Sequence, residues 1–275
     1  MTARQFQNDS SMIEQTMPDT KTHAWVIPFQ PVPQPRLRLF CFANAGGSPA
    51  QFRLWQRSLP AGVEVCPIQL PGQGSRFREQ PYARIAALNE KLAEVLSAYL
   101  ETPFAFWGYS MGALVAFELA LTLKRQGCPE PRGLFVAARR APHLPPADAP
   151  IHALPEAAFI EAIQSRYNGI PAAVLGEPEL LALFIPVLRA NFEMLETHAH
   201  QAGERLACPL WAFGGLNDPT ASAVEIAAWD ALTSGTFQHF LFPGDHFFVQ
   251  NHQPAILQIV SKNLTALLSW QGSGR

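Results

Sequence analysis

Gly108-Tyr109-Ser110-Met111-Gly112 has the spacing G-x-S-x-G. A serine hydroxyl becomes a nucleophile only when a turn presents it and a base takes its proton. The spacing alone is weak, because a capping serine in a Gly-rich loop has the same letters. Its flanks carry more weight. The apolar Phe104-Ala105-Phe106-Trp107 before it reads as a strand, and Ala113 to Leu123 after it repeats apolar residues as a helix does. Ser110 is therefore expected on a sharp strand-to-helix turn. There the helix start directs free N–H groups and a partial positive charge at the reacting centre.

Such a serine needs a base and an acid that orients it, and in folds with this turn they follow in the order serine, acid, histidine. Asp218 closes Trp211-Ala212-Phe213-Gly214-Gly215-Leu216-Asn217-Asp218, an acid on a turn after a strand; the competing reading is a turn or helix-capping aspartate. Glu225 and Asp230 fall later, in a helical pattern. Among the downstream histidines, His239 lies inside a strand and His252 at the entry to the last helix. His246, in Phe242-Pro243-Gly244-Asp245-His246, sits on the turn straight after the last strand and is the candidate base. Asp245 beside it reads as a loop residue. An oxyanion needs two N–H donors. Met111 supplies one, and the loop Phe42-Ala43-Asn44-Ala45-Gly46-Gly47-Ser48 offers Ala45 as the second. A phosphate cradle is the alternative for that loop, but it lacks the Lys of a P-loop and the third Gly of a dinucleotide fingerprint. No His or Cys cluster shows metal-ligand spacing, so no metal is expected.

The elements that must hold these groups alternate along the chain. Strand-like runs at 37–42, 64–69, 104–108, 133–138, 209–214 and 236–242 are separated by helical patterns at 83–100, 112–125, 222–232 and 254–269. This rhythm predicts an α/β protein with a mostly parallel sheet covered by helices on both faces. Residues 142–205 break it with helical patterns only (155–166 and 177–201), as an inserted helical lid would. The expected organisation is a flexible tail over 1–35, a core over 36–141 and 206–270, and a lid over 142–205. With 275 residues, 48% of them hydrophobic, the chain buries a large core. Its 20 basic and 22 acidic residues leave a net charge of -2, which speaks against a broad grip on nucleic acid or anionic lipid. No apolar run approaches the roughly 20 residues of a membrane span. The four cysteines, Cys41, Cys66, Cys128 and Cys208, are dispersed and read as structural thiols. The N-terminal stretch lacks the apolar region of a secretory signal, so a cytoplasmic address is expected.

On these residues the chain resembles the stand-alone type II thioesterases that accompany nonribosomal peptide and polyketide synthetases, which have the α/β-hydrolase fold. FANAGGSPAQFRLW (42–55), QLPGQGSRF (69–77), GYSMG (108–112) and GDHFF (244–248) carry the likeness, with GGLNDP (214–219) a weaker fifth segment. The resemblance implies Ser110 as nucleophile, His246 as base, Asp218 as its partner, and the Ala45 and Met111 N–H groups as oxyanion hole. It further implies no cofactor of the enzyme's own, the acyl group arriving on the phosphopantetheine arm of a carrier protein. The implied task is to clear misprimed or stalled acyl groups. The family has His where Tyr109 stands and Pro-His where Ala43-Asn44 stand, which bears on pocket shape.

Arg76 and Arg78 are candidates for contact with an acidic carrier or the pantetheine phosphate; as ordinary loop arginines they would face solvent. The partners expected are transient carrier domains, with no nucleic acid and no membrane, and the chain is expected to be a monomer. A medium-chain acyl thioesterase and a general carboxylesterase share the chemistry. A hydrolase-like binding protein without turnover is the reading from another class, and it gives no reason for a full set of reactive groups.

Overall fold

A computed structural model describes residues 24–269 of the chain. Six strands, β1 (Leu37–Phe42), β2 (Val63–Pro67), β3 (Phe104–Tyr109), β4 (Leu134–Ala137), β5 (Leu210–Gly215) and β6 (Phe237–Phe242), form one sheet in the order β2-β1-β3-β4-β5-β6. All five pairings are parallel. The inner strands are apolar at nearly every position because both faces are covered. Along β1, Leu37, Leu39 and Cys41 enter one core and Phe40 and Phe42 the other. β6 is an edge strand, and there Gln238 and His239 are exposed.

Helices α1 (Ile85–Leu96) and α2 (Met111–Arg125) cover one face together with α6 (Ala223–Ala227). The other face is covered by α8 (Gln253–Ser269), which follows the short α7 (Phe248–Asn251), and by the helical turns of 49–58. From β1 the chain runs out to the edge at β2, then returns to β3 on the opposite side of β1. That reversal opens a crevice at the carboxyl ends of β1 and β3, where α/β sheets bind their ligands.

Between β4 and β5 lie α3 (Glu156–Tyr167), α4 (Ala172–Leu175) and α5 (Pro178–Glu196), around a small core of their own that includes Ile151, Phe159, Ile163, Ile185 and Phe192. Three of the prolines here open helices: Pro155 and Pro171 are N-caps and Pro178 is the first residue of α5, while Pro186 lies inside α5. Helix α4 was not expected, and α5 stops at Glu196 rather than continuing to 201.

The expected tail over 1–35 is corrected from residue 25 onward. Trp25 and Val26 are buried, and Val26 bridges Ile68 in antiparallel fashion. The Ile27 N–H donates to the Pro67 carbonyl at 2.9 Å, and the Gln69 N–H to the Trp25 carbonyl at 2.8 Å. The Arg76 guanidinium lies over the Trp25 ring, 4.0 Å from its centroid. The Pro-rich stretch that follows disguised this apolar anchor. The rest of that tail, residues 1–23, lies outside the described residues.

All four cysteines are free; Cys41, Cys66 and Cys208 are buried, and burial pushes the Cys208 thiol up to about 12. Among the described residues no helix is long and apolar enough to cross a membrane. Replacing Trp25 by Ala removes the indole from both the core and Arg76; the expected loss is about 3 kcal/mol of unfolding free energy, read by urea titration.

Candidate active site

Ser110 stands between β3 and α2 with φ 54° and ψ -111°, in the positive-φ region that side-chain-bearing residues rarely enter. The two glycines of the motif explain how the turn closes. A Cβ on Gly108 would lie 2.3 Å from the Gly112 carbonyl oxygen, and one on Gly112 would lie 2.2 Å from the Phe42 carbonyl oxygen. Backbone thus meets backbone at the strand end, at the helix start and at the exit of β1. As the first helical residue, Met111 has no acceptor for its N–H within the helix.

The structure brings Ser110, His246 and Asp218 together from the ends of β3, β6 and β5. Ser110 Oγ is 2.9 Å from His246 Nε2, and His246 Nδ1 is 2.8 Å from Asp218 Oδ2. All three residues are buried. The other oxygen of Asp218 accepts two hydrogen bonds from Thr220, from its hydroxyl at 2.7 Å and its N–H at 2.9 Å. The carboxylate is thereby held with one oxygen turned to the imidazole. This arrangement fixes the proton on Nδ1 and leaves Nε2 as acceptor for the serine hydroxyl.

Tyr109, the departure from the family pattern, holds the histidine loop. Its hydroxyl donates to the His246 backbone carbonyl at 3.0 Å, and its ring stacks beside the imidazole at 6.1 Å between centroids. Burial, reinforced by Asp218 and Asp245, raises the pKa of the phenol, so it remains a donor. From α3, Tyr167 meets the same imidazole edge-to-face at 5.1 Å.

The loop after β1 lies against this turn. Its Ala45 lines the same cavity as Ser110 and His246. Among the described residues the Ala45 N–H donates to no protein acceptor. The other departure, Asn44, stiffens the loop: its carbonyl accepts the Gly47 N–H at 2.9 Å and its side-chain amide donates to the Ala45 carbonyl at 3.2 Å. Helix α5 completes the support. Phe184 packs on Gly46, and the buried Asn191 accepts the Gly46 N–H at 3.1 Å. Sequence reasoning missed Asn191; an asparagine on the apolar face of a lid helix was the available signal.

Other predicted residues divide. Arg76 is buried, its guanidinium committed to Glu79, to the Gln69 carbonyl and to the Trp25 ring, so it is not a surface contact. Arg78 is exposed beside Phe77. Glu225 caps α6 with Ser222 and pairs with Arg140 at 3.0 Å. His252 contacts the Pro243 carbonyl.

A cavity of about 840 Å³ opens on Ser110 and His246, within the range of sites for small ligands. Tyr167 and Phe192 from the helical segment and Arg139, His198 and His200 from its two ends share in its wall.

An all-parallel sheet with a strained serine at a strand-to-helix turn, and a histidine and an aspartate brought to it from the ends of later strands, defines an α/β-hydrolase. The thioesterase domain family matches residues 37–264. Over 262 residues the chain is 39% identical to the protein named linear gramicidin dehydrogenase LgrE of Brevibacillus parabrevis, covering 92% of this chain and 99% of that one. Among solved structures, RedJ, a thioesterase from the prodiginine biosynthetic pathway in Streptomyces coelicolor, has 38% identity and a TM-score of 0.76, over 83% of this chain and 85% of that one. YbtT, a type II thioesterase from the yersiniabactin NRPS/PKS biosynthetic pathway, has 28% identity and a TM-score of 0.78, over 90% and 100%. The chain belongs to the thioesterase family, and it is an enzyme that hydrolyses thioesters.

Two substitutions test how the site is held. Tyr109→Phe deletes only the hydroxyl on the His246 carbonyl; a loss of about 1 kcal/mol in stability and a several-fold drop in kcat are expected, read by denaturation and steady-state kinetics. Asn191→Ala leaves the Gly46 N–H without its acceptor, and kcat is expected to fall by about tenfold with little change in KM, because the loop rather than the cavity wall is loosened.

Proposed function

We propose that this protein is a type II thioesterase serving a nonribosomal peptide or polyketide synthetase, and that it releases acyl groups from the phosphopantetheine arm of carrier domains. The observation that carries the reading is the hydrogen-bonded series Ser110–His246–Asp218 opening on a cavity beneath a helical lid. The family match and the biosynthetic pathways of RedJ and YbtT support the substrate class.

In the proposed reaction, His246 Nε2 takes the Ser110 proton as Oγ bonds to the thioester carbon. The carbonyl electron pair moves onto oxygen, and the Ala45 and Met111 N–H groups stabilise that oxyanion. When the oxyanion collapses, the C–S bond breaks and His246 returns its proton to the departing pantetheine thiol. Water then gives a proton to His246 and attacks the Ser110 ester, releasing the acid and regenerating the hydroxyl. Asp218 stays ionised throughout and stabilises the imidazolium. No step requires a cofactor. Clearing misprimed or stalled acyl groups is the task that suits hydrolysis of thioesters held on carriers. Carrier contacts are transient, Arg78 is the arginine of the pair able to make one, and a cytoplasmic monomer fits the role.

The name of LgrE raises dehydrogenation. A hydroxyl, an imidazole and a carboxylate in series favour acyl transfer instead, because hydride transfer has no use for an activated serine.

The test is release of acetyl and longer acyl groups from phosphopantetheinyl carrier proteins, beside p-nitrophenyl esters and acyl-CoAs. Faster release from the carrier than from the free thioesters is expected, with a drop of about 10⁴-fold or more in Ser110→Ala. Turnover of simple esters with none on carriers would make the protein a general esterase and overturn the carrier assignment.

A further inference from the structure

Glu118 lies on α2 about two turns beyond Ser110, buried in a helix whose neighbouring residues are almost all apolar. A carboxylate in such a place demands compensation. What faces it is the chain leaving α5. His198 Nε2 is 3.0 Å from Glu118 Oε1, and His200 Nδ1 is 3.5 Å from the same oxygen. One donor atom from each of the three residues lies within 4.8 Å of the other two.

These contacts do not have hydrogen-bond geometry. Glu118 Oε1, His198 Nε2 and His200 Nδ1 are each sealed from solvent with no hydrogen-bond partner. Three orphaned polar atoms converging in one place are what folded chains avoid, unless something else binds them. Their chemistry names the class of ligand. Two imidazoles and a carboxylate are a donor set for divalent transition metals of the zinc kind. Bonds of about 2.0–2.2 Å in tetrahedral geometry leave ligand atoms roughly 3.3–3.6 Å apart. The separation of 3.5 Å lies within that range and that of 3.0 Å a little below it.

We propose that Glu118, His198 and His200 form a binding site for a divalent transition-metal ion such as zinc, with its remaining coordination position turned to the cavity. His198 and His200 line that cavity, which also reaches Ser110. The ion would tie the root of the lid, just past α5, to the helix that begins at the nucleophile turn. Its effect would be on the stiffness of the lid, not on the bond-breaking step, and the proposal stands independently of the carrier-thioesterase reading. From the sequence no metal is expected, because the two histidines of H-x-H at 198–200 are too few for a site by themselves; Glu118, some 80 residues upstream, is joined to them only by the fold.

The full chain, stripped of metal with a chelator, is titrated with zinc chloride by calorimetry and with cobalt(II) as a spectroscopic probe. The expected result is one ion per chain, a cobalt spectrum of low coordination number, and a zinc-dependent rise in melting temperature. The paired variant His198→Ala/His200→Ala should weaken binding by more than the ~10–100-fold that losing an outer-shell partner costs, and should lose the thermal shift. His152→Ala removes an imidazole paired with a different carboxylate, Glu196, and should bind as the wild type does. If the double variant does not fold, Glu118→Gln, of nearly the same shape, replaces it with the same expected loss. Failure of the wild type to take up either ion overturns the proposal. So does uptake unchanged in the histidine or glutamine variants, or uptake lost in His152→Ala.

Discussion

Between the end of β3 and the start of α2 the backbone runs so close to itself, and to the exit of β1, that a β-carbon on Gly108 or Gly112 would fall within 2.3 Å of a carbonyl oxygen. Much of the site follows from that approach. Because the turn must be this tight, Ser110 takes up a positive φ, at a cost of about 1–3 kcal/mol drawn from the packing around it. The same tightness lifts its hydroxyl out of the sheet and leaves the Met111 N–H unbonded. It also presses the loop of Ala45 against the helix start. Both faces of the sheet are filled around this point, which is what allows a strained residue to persist there.

The helical segment between β4 and β5 is more than a cover. Its α5 reaches the loop of Ala45 through Phe184 and Asn191, and packs Val187 against Gly72 of the segment that follows β2. Its α3 brings Tyr167 to the imidazole from one side, while Tyr109 holds the backbone of the same histidine from the sheet. Two tyrosines and an asparagine thus fix the positions of His246 and of the loop that carries Ala45.

The strands were legible because both-face burial writes an unbroken apolar run, and Ser110, Asp218 and His246 because each follows such a run on a turn. The long helices of the sheet layers, α1, α2 and α8, were equally plain from their period, whereas the short α7 and the helical turns of 49–58 were not. What stayed hidden depends on partners remote in the chain. Trp25 looked like tail until Ile68 and Arg76 came to meet it. Arg76 looked like surface because nothing local announces a buried guanidinium on an indole. Four residues are too few for a helical period, so α4 left no pattern. Asn191 and Glu118 each sit in apolar helical stretches where periodicity speaks only of core.

His246 meets Ser110 across 136 residues of chain, and the acid joins from a third strand 28 residues before the histidine. Parallel pairing makes every one of these contacts non-local, and non-local contacts form late. The Ser110 turn itself leans on β4, where the Ala137 carbonyl accepts the Ser110 N–H at 2.8 Å, and Asp218 and His246 reach it only once β5 and β6 extend the sheet. The hydrogen-bonded series Ser110–His246–Asp218 is therefore a property of the finished topology, and no segment of the sheet holds it alone.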